Sequence, residues 1–195
     1  DLQDLAFPAF YKRRRGFGSI GSGRCNSAAE AVSAAARDPG LLFQPAIVAD
    51  EITVDAYISR SGDCIACVPR VRDKVVAGEA YKTHTVRDVA VESLALQTIQ
   101  ALAQEGLRGP LNVQIFRTTP PMLLEVNTRL GSASVLSNMA VGGRLLEAIF
   151  IEASGGTAQG DPFDFEAGLY LNRFLGDVFH KGTEVRAIKP QCQLT

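Results

Sequence analysis

Hydrophobic and polar positions divide the chain into segments of strand and helix length. The apolar, aromatic segment 7–12 predicts a buried strand, and the alternation of apolar residues over 52–58 predicts a strand with one apolar face. A Ser-Gly-Asp sequence follows and is typical of a hairpin turn, so 64–71 is expected to return as the partner strand. Segments 111–116 and 122–126 flank a Thr-Thr-Pro-Pro sequence and predict a second hairpin.

The first helix is predicted in the alanine-rich segment that ends at Arg37. Asn26 or Ser27, followed by Glu30, forms a capping box at its start, and an Asp-Pro-Gly sequence ends it. The short apolar segment 41–47 that follows predicts a strand or a hinge.

Two further helices are predicted in the second half of the chain. Thr85 is expected to cap a long helix through residue 105, with Asp88 completing its capping box and a glycine at its end. Another helix is predicted after Gly142 and Gly143 and through Ser154, followed by one or two strands around 168–179. Strands joined as hairpins and mixed with helices indicate an α+β fold with a mainly antiparallel sheet and flanking helices.

Composition narrows the class of protein. The 195 residues are 46% hydrophobic, and 20 Lys+Arg against 21 Asp+Glu give a formal net charge of −1. This balance argues against a nucleic-acid or membrane-surface binder. With no membrane-spanning apolar segment and no signal peptide, we expect a cytoplasmic globular protein. Cys64 and Cys67 have no second zinc half-site, so we predict buried structural thiols.

The segment around Glu125 has the sharpest chemical pattern in the sequence. Residues two apart on a strand face the same side, so Glu125, Asn127 and Arg129 should share one face, opposite apolar Leu124 and Val126. The preceding strand offers Asn112 and Gln114 at the same spacing. Carboxylate and amide oxygens beside a cation suit Mg²⁺ that holds a polyphosphate. An ordinary solvated sheet face gives the same pattern and stays open as the alternative.

Two other segments suggest phosphate and ribose binding. The glycine-rich segment 16–23 can present backbone N–H groups to phosphate oxygens, and Lys12 supplies a positive charge just before it. The spacing is not that of a P-loop, and a plain linker is the alternative. Glu51 opens the strand 52–58, where a carboxylate can accept hydrogen bonds from ribose hydroxyls or simply face solvent. The basic residues 12–15 also permit an RNA contact, which the neutral overall charge disfavours.

Taken together and in this order, these motifs resemble the ATP-grasp superfamily, and most closely its carbamoyl-phosphate-synthase large-subunit-like branch. The resemblance covers about residues 7–155 and rests on FPAFYKRRRGFGSIG, DEITVDAYISRSG, PRVRDKVVAGEAYKTHT, GPLNVQIF and LLEVNTRLGSAS. It implies two parts: a glycine-rich-loop subdomain with the hinge in 1–48, and a C-terminal subdomain in 49–195 that carries the Mg-nucleotide site.

The resemblance also assigns candidate site residues. Lys12 looks like the phosphate-binding lysine, and Arg129 like the arginine that steadies the transferred phosphate; both are the catalytic candidates. Gln114, Glu125 and Asn127 look like the magnesium set, with Mn²⁺ as an alternative metal. The residues that would contact ATP are Lys12, Gly18, Ser19, Gln44, Ala46, Ile47, Glu51 and Gln114, with Ala46 and Ile47 at the adenine hinge and Glu51 at the ribose.

The activity implied is an ATP- and Mg²⁺-dependent ligation of a small carboxylate to an amine or thiol through an acyl phosphate. The arginines and lysines at 70, 72, 74 and 82 would suit the acceptor carboxylate, or form a solvated basic loop. Arg13 and Thr128 stand where the family often has proline, and Gln44 where a second acid is common. Because the chain begins almost at the glycine-rich loop, it is expected to lack a preceding domain. The alternative is therefore an incomplete nucleotide-binding fragment or regulatory module, completed by a partner chain or homo-oligomer.

Overall fold

Four helices and two main sheets are present in the part of the chain that the structure describes. A computed structural model describes residues 2, 4–16, 20–76, 78–174, 178–181 and 184–187. Within these residues the strands are β1 (Ala9–Arg13), β2 (Gly23–Cys25), β3 (Leu41–Pro45), β4 (Glu51–Ile58), β5 (Cys64–Val76), β6 (Glu79–Thr85), β7 (Gly109–Phe116), β8 (Met122–Asn127), β9 (Tyr170–Asn172), β10 (Val178–Lys181) and β11 (Glu184–Ala187). The helices are α1 (Ala28–Arg37), α2 (Val89–Gln104), α3 (Ser134–Ala140) and α4 (Arg144–Ala153).

The strands form a small sheet, a large sheet and a terminal hairpin, and every neighbouring pair is antiparallel. The small sheet has the order β2-β1-β3, the large sheet has the order β8-β7-β4-β5-β6-β9, and β10 pairs with β11. The predicted α+β fold with a mainly antiparallel sheet and flanking helices is confirmed. The domain boundary at 48/49 stays a prediction.

Helices cover both faces of the large sheet. On one face α2 packs Val91, Ala95 and Ile99 against the apolar side chains of β4 and β7. On the other face Leu145 of α4 and Ala140 of α3 join Tyr57 and residues of β5. Because both faces are covered, β4 is buried nearly throughout rather than on one apolar face only, and even Asp55 is 0% exposed.

The first helix begins as predicted. Ser27 Oγ accepts a hydrogen bond from the backbone N–H of Glu30 at 3.3 Å, and Glu30 Oε2 accepts one from the N–H of Asn26 at 2.8 Å. The first bond satisfies a helical N–H group that an uncapped helix leaves without a partner, and the second fixes the residue just before the cap.

The predicted cap of the long helix is wrong. Asp88, not Thr85, is the N-cap of α2: its Oδ1 accepts a hydrogen bond from Val91 N–H at 3.2 Å. Thr85 instead ends β6, and its Oγ1 donates to the carbonyl of Glu166 at 2.8 Å. The strand predicted over 64–71 extends to Val76, and β6 returns beside it. Pairing with β5 and β9 thus holds 79–85 as a strand although the sequence there is polar.

Within the described residues, no single helix has the length and apolar composition needed to cross a membrane; only α3 and α4, bent by 92° between them, pass that test as a pair.

Candidate functional site

A cavity of about 620 Å³, called here the main cavity, lies where the small sheet faces the large sheet. Its wall combines residues of β1 and β3 with residues of β4, β7 and β8. Of the residues predicted from the sequence to form the site, those that line this cavity are Lys12, Gln44, Ala46, Ile47, Glu51, Gln114, Glu125, Asn127 and Arg129. Gly18 and Ser19 lie outside the described residues, although Gly16 and Ser22 on either side line the same cavity.

The polar residues of β7 and β8 come together through strand register. Gln114 pairs with Glu125 and Asn112 pairs with Asn127 across the two strands. Asn127 Nδ2 donates hydrogen bonds to Glu125 Oε1 at 3.1 Å and to Asn112 Oδ1 at 3.3 Å. Its amide nitrogen thus faces protein acceptors, and its oxygen accepts no hydrogen bond from the part of the chain that the structure describes. The sheet therefore presents one carboxylate and amide oxygens side by side.

A β-bulge changes the alternation expected for β8. The register shifts between Gln114 and Ile115, which pair with Glu125 and Leu123, so Leu124 is the extra residue. Leu124 lines the main cavity, whereas strict alternation places it on the opposite face with Val126. Together with Phe116 and Ile47, it gives the cavity an apolar part beside the polar set.

Lys12 and the segment after β3 form the opposite wall. Lys12 is half-buried on β1 and forms no ion pair with the described residues. At the predicted hinge, the N–H of Ala46 donates to the carbonyl of Pro8 at 2.8 Å, so this donor is already used. The N–H of Ile47 bonds to no backbone carbonyl of the described residues and remains a donor for a ligand.

Glu51 is not a free carboxylate. Arg72 Nη1 donates to Glu51 Oε1, and Arg72 Nη2 donates to the carbonyl of Gly78 at 2.8 Å. The ion pair is partly buried, with side-chain exposures of 12% for Arg72 and 27% for Glu51. Arg72 therefore ties the start of β4 to the turn between β5 and β6.

A second cavity of about 270 Å³, called here the side cavity, adjoins the main one. Four residues line both cavities: Arg72, Gly78, Gln114 and Arg129. Arg70 and Gly131 line the side cavity only. Of the basic residues that the sequence suggested for the acceptor, Arg70 and Arg72 lie here, whereas Lys74 and Lys82 are exposed outside both linings.

Sequence reasoning missed several residues of the main cavity. Phe10 and Arg24 sit opposite each other in the register of β1 and β2, and both line the cavity with Phe116 and Leu124. Arg24 follows the glycine-rich segment directly, which is the one signal in the sequence that points to it. Nothing in the local pattern marks Phe116 or Leu124, since apolar strand residues are ordinary core residues.

A family model described as "ATP-grasp in the biosynthetic pathway with Ter operon" matches residues 37–173, which is well over half of the chain. The chain belongs to the ATP-grasp family. No curated protein has a sequence that matches it.

Solved structures share the ATP-grasp fold with this chain. A biotin carboxylase–β,γ-ATP complex from Campylobacter jejuni superposes with a TM-score of 0.69 at 16% identity, covering 85% of this chain and 41% of that one. A second structure is the biotin carboxylase domain dimer of 2-oxoglutarate carboxylase from Hydrogenobacter thermophilus, in complex with MgADP, ADP and bicarbonate. It superposes with a TM-score of 0.69 at 16% identity, covering 86% of this chain and 41% of that one. L-amino acid ligase from Bacillus licheniformis superposes with a TM-score of 0.59 at 16% identity, covering 77% of this chain and 39% of that one. The chain thus spans about two fifths of the length of these proteins.

The donors in the main cavity fit the magnesium ion of an ATP-grasp site. Mg²⁺ is usually held by one or two carboxylates and by substrate phosphates. Glu125 supplies one carboxylate, and Gln114 and Asn127 supply amide oxygens that accept no hydrogen bond from the described residues. No group of three or more His, Cys, Asp or Glu side chains suited to a metal occurs in that part of the chain. These donors are therefore too few to bind a metal ion by themselves, and they suit an ion that is also coordinated by the phosphates of a nucleotide.

Proposed function

We propose that this protein carries the nucleotide site of an ATP- and Mg²⁺-dependent ligase that joins a carboxylate to an amine or a thiol, of the carbamoyl-phosphate-synthase large-subunit-like type. One observation carries the proposal: Lys12, Glu51, Gln114, Glu125, Asn127 and Arg129, far apart in sequence, line a single cavity. That cavity has an apolar part for a base, and it opens onto a second cavity lined by arginines.

Each wall of the main cavity has a distinct role in this proposal. Ile47, Phe116 and Leu124 surround the adenine, and the free N–H of Ile47 donates to a ring nitrogen. Glu51 accepts hydrogen bonds from the ribose hydroxyls. Lys12 neutralises phosphate charge, which is the main requirement that phosphoryl transfer places on a protein.

Glu125, Asn127 and Gln114 would hold Mg²⁺ with the nucleotide. When bound, the metal ion supplies positive charge to phosphate oxygens. Arg129 and Arg72 line both cavities, and so they stand where the terminal phosphate meets the acceptor. Their charges offset the repulsion between an anionic acceptor and the phosphates.

The proposed reaction has two steps. An oxygen of the acceptor carboxylate attacks the γ-phosphorus, and the bond from that phosphorus to ADP breaks. The amine nitrogen or thiol sulfur then attacks the acyl carbon, the bond from that carbon to the phosphate oxygen breaks, and inorganic phosphate leaves with the proton lost by the amine or thiol. A carboxylate is already ionised at neutral pH, so the first step needs no general base. Among the described residues, neither cavity lining contains a histidine.

Calorimetric titration with AMP-PNP, a non-hydrolysable ATP analogue, tests the nucleotide site. We expect binding that is strengthened by Mg²⁺, and we expect Lys12→Ala and Glu125→Gln to weaken it by roughly tenfold or more. Glu105→Gln, at an exposed residue outside both cavities, is the matched control and should bind as the unaltered protein does. Binding that Mg²⁺ does not affect, or that Glu125→Gln leaves unchanged, would refute the assignment.

The second candidate is a nucleotide-binding module that acts only with a partner chain. ADP release that depends on an added carboxylate separates the two. Release by the protein alone identifies a ligase, whereas Mg·AMP-PNP binding without any release identifies a module.

A further inference from the structure

Arg70 has an unusual position for a charged residue: its side chain is only 4% exposed, yet it lines the side cavity. Its Nε donates to Asp55 Oδ2 at 2.8 Å, and Asp55 is itself fully buried on β4. Ser137 of α3 donates to the same oxygen at 2.6 Å. The guanidinium is therefore held at its inner edge by a fixed carboxylate.

The outer edge of the Arg70 guanidinium is unused. Among the described residues, the Arg70 side chain makes one hydrogen bond, from Nε to Asp55. Its Nη1 and Nη2 therefore have no hydrogen-bond partner there. Gly131 borders this edge: a Cβ built on Gly131 would lie 3.3 Å from Arg70 Nη2. Since glycine has no side chain, Nη2 is left uncovered on this side of the cavity. Two parallel N–H donors of one guanidinium match the two oxygens of a carboxylate or phosphate.

The remaining charges of the side cavity also favour an anion. Arg129 and Arg72 line it, although Arg72 is already paired with Glu51. The one carboxylate of its lining within the described residues, Glu79, accepts a hydrogen bond from Arg173 at 3.0 Å. Arg129 donates only to the neighbouring carbonyl of Leu130, at 3.3 Å, among these residues. The cavity thus holds two separate guanidinium positions for anions, one at Arg129 beside the main cavity and one at Arg70 on the floor.

We propose that the acceptor carries a second anionic group, which Arg70 binds while its reacting carboxylate lies near Arg129. The inference rests on the proposed function for the reacting end and on Arg70 and Gly131 for the other end. A volume of about 270 Å³ suits a short molecule such as a dicarboxylate. The second group is a carboxylate or a phosphate-like group, and the test below distinguishes them.

Matched ligand pairs isolate the second charge. Malonate, succinate and glutarate are titrated into the protein calorimetrically, each beside its monomethyl ester, with and without saturating Mg·AMP-PNP. We expect the best-fitting diacid to bind about 10-fold or more tightly than its monoester, the usual gain from a charged hydrogen bond. 3-Phosphonopropionate is the second arm, and tighter binding than succinate assigns the floor to a phosphate-like group.

Gly131→Ala tests the floor without removing either partner of the Arg70–Asp55 pair. Its backbone is not in the left-handed region, so alanine can adopt the same backbone conformation, and the added methyl group crowds Arg70 Nη2. We expect the preference for the diacid to fall to about twofold or less, with Mg·AMP-PNP affinity unchanged. Gly40→Ala is the matched control: its Cβ would lie 3.2 Å from Asp38 Oδ1, outside both cavities. Arg70→Lys, which keeps the charge without the fork, should also lower the preference.

Two results would overturn the proposal. One is a diacid that binds no better than its monoester, or not at all, under either condition. The other is a preference that Gly131→Ala and Arg70→Lys both leave intact, since Arg70 is then only the counter-ion of Asp55. Failure of the proposed function looks different, because Mg·AMP-PNP does not bind although the diacid preference persists in nucleotide-free protein.

Discussion

The guanidinium of Arg72 binds the carboxylate of Glu51, and this one ion pair stands at the boundary of both cavities. Glu51 was predicted as the ribose-binding carboxylate, so a nucleotide has to bind Glu51 together with Arg72 or replace Arg72 as the partner of Oε1. Only Oε1 is used by Arg72, and Oε2 accepts no hydrogen bond from the described residues.

Glu51→Gln should therefore reduce discrimination between ATP and 2′-deoxy-ATP. A carboxylate that binds the ribose hydroxyls favours ATP by about 1.5–3 kcal/mol, the usual value for a charged hydrogen bond. The neutral amide should lose most of this preference. Calorimetric affinities of both nucleotides for both proteins give the ratio directly. If Glu51→Gln keeps the same ratio, Glu51 serves only to hold Arg72. Glu105→Gln again provides the control.

Removing either partner of the buried Asp55–Arg70 pair should destabilise the large sheet. Asp55→Asn or Arg70→Met leaves a charge without its partner inside the protein, which costs about 3–5 kcal/mol of unfolding free energy. Replacing both should cost much less than the sum of the two, because no uncompensated charge remains. Urea unfolding of the four proteins completes the double-mutant cycle. Additive losses would show that the two side chains do not stabilise each other.

Tyr57 should make stability fall at high pH. Burial, with the neighbouring carboxylate of Glu152, raises the pKa of Tyr57 from its ordinary value of 10 to about 12. Folding thus favours the protonated phenol. The stabilisation that comes from this raised pKa is fully present below pH 10, and it is lost as the pH rises toward about 12. Tyr57→Phe cannot titrate, so the difference in unfolding free energy between the two proteins should shrink over that window. A constant difference from pH 9 to 12 would contradict the assignment.

Cys64 should be the most reactive thiol of the described residues. A hydrogen bond from the Cys67 thiol lowers the pKa of Cys64, and the same contact, with burial, raises the pKa of Cys67. Burial raises the pKa of Cys25. Because the thiolate is the reacting form, iodoacetamide near pH 8 should label Cys64 roughly tenfold faster than Cys25 or Cys67. Peptide mapping by mass spectrometry, in a Cys192→Ser background, measures the rates. Faster labelling of Cys25 would refute the expectation.

Local signals in the sequence were enough where the physics is local. The capping box at Ser27 and Glu30 was correct because a cap depends on residues three or four apart. At Thr85 and Asp88 the same rule gave the wrong cap, because pairing with β5 and β9 extends β6 through Thr85. The hairpin of β7 and β8 was predicted for the same local reason, but the bulge that turns Leu124 into the main cavity was not.

By itself, the sequence determined the fold class, the two hairpins β4–β5 and β7–β8, the helices α1, α2 and α4, and the chemistry of the residues that meet in the main cavity. It predicted neither β6 nor α3. Hydrophobic periodicity and motif spacing are properties of the chain and can be read along it. The tertiary structure alone decided that Asp55 is buried beneath α3, that Arg72 occupies Glu51, and that Arg70 faces a cavity floor left open by Gly131. Each of these depends on which helix covers a sheet face and which loop approaches it. Such long-range contacts leave no periodic signal in the sequence.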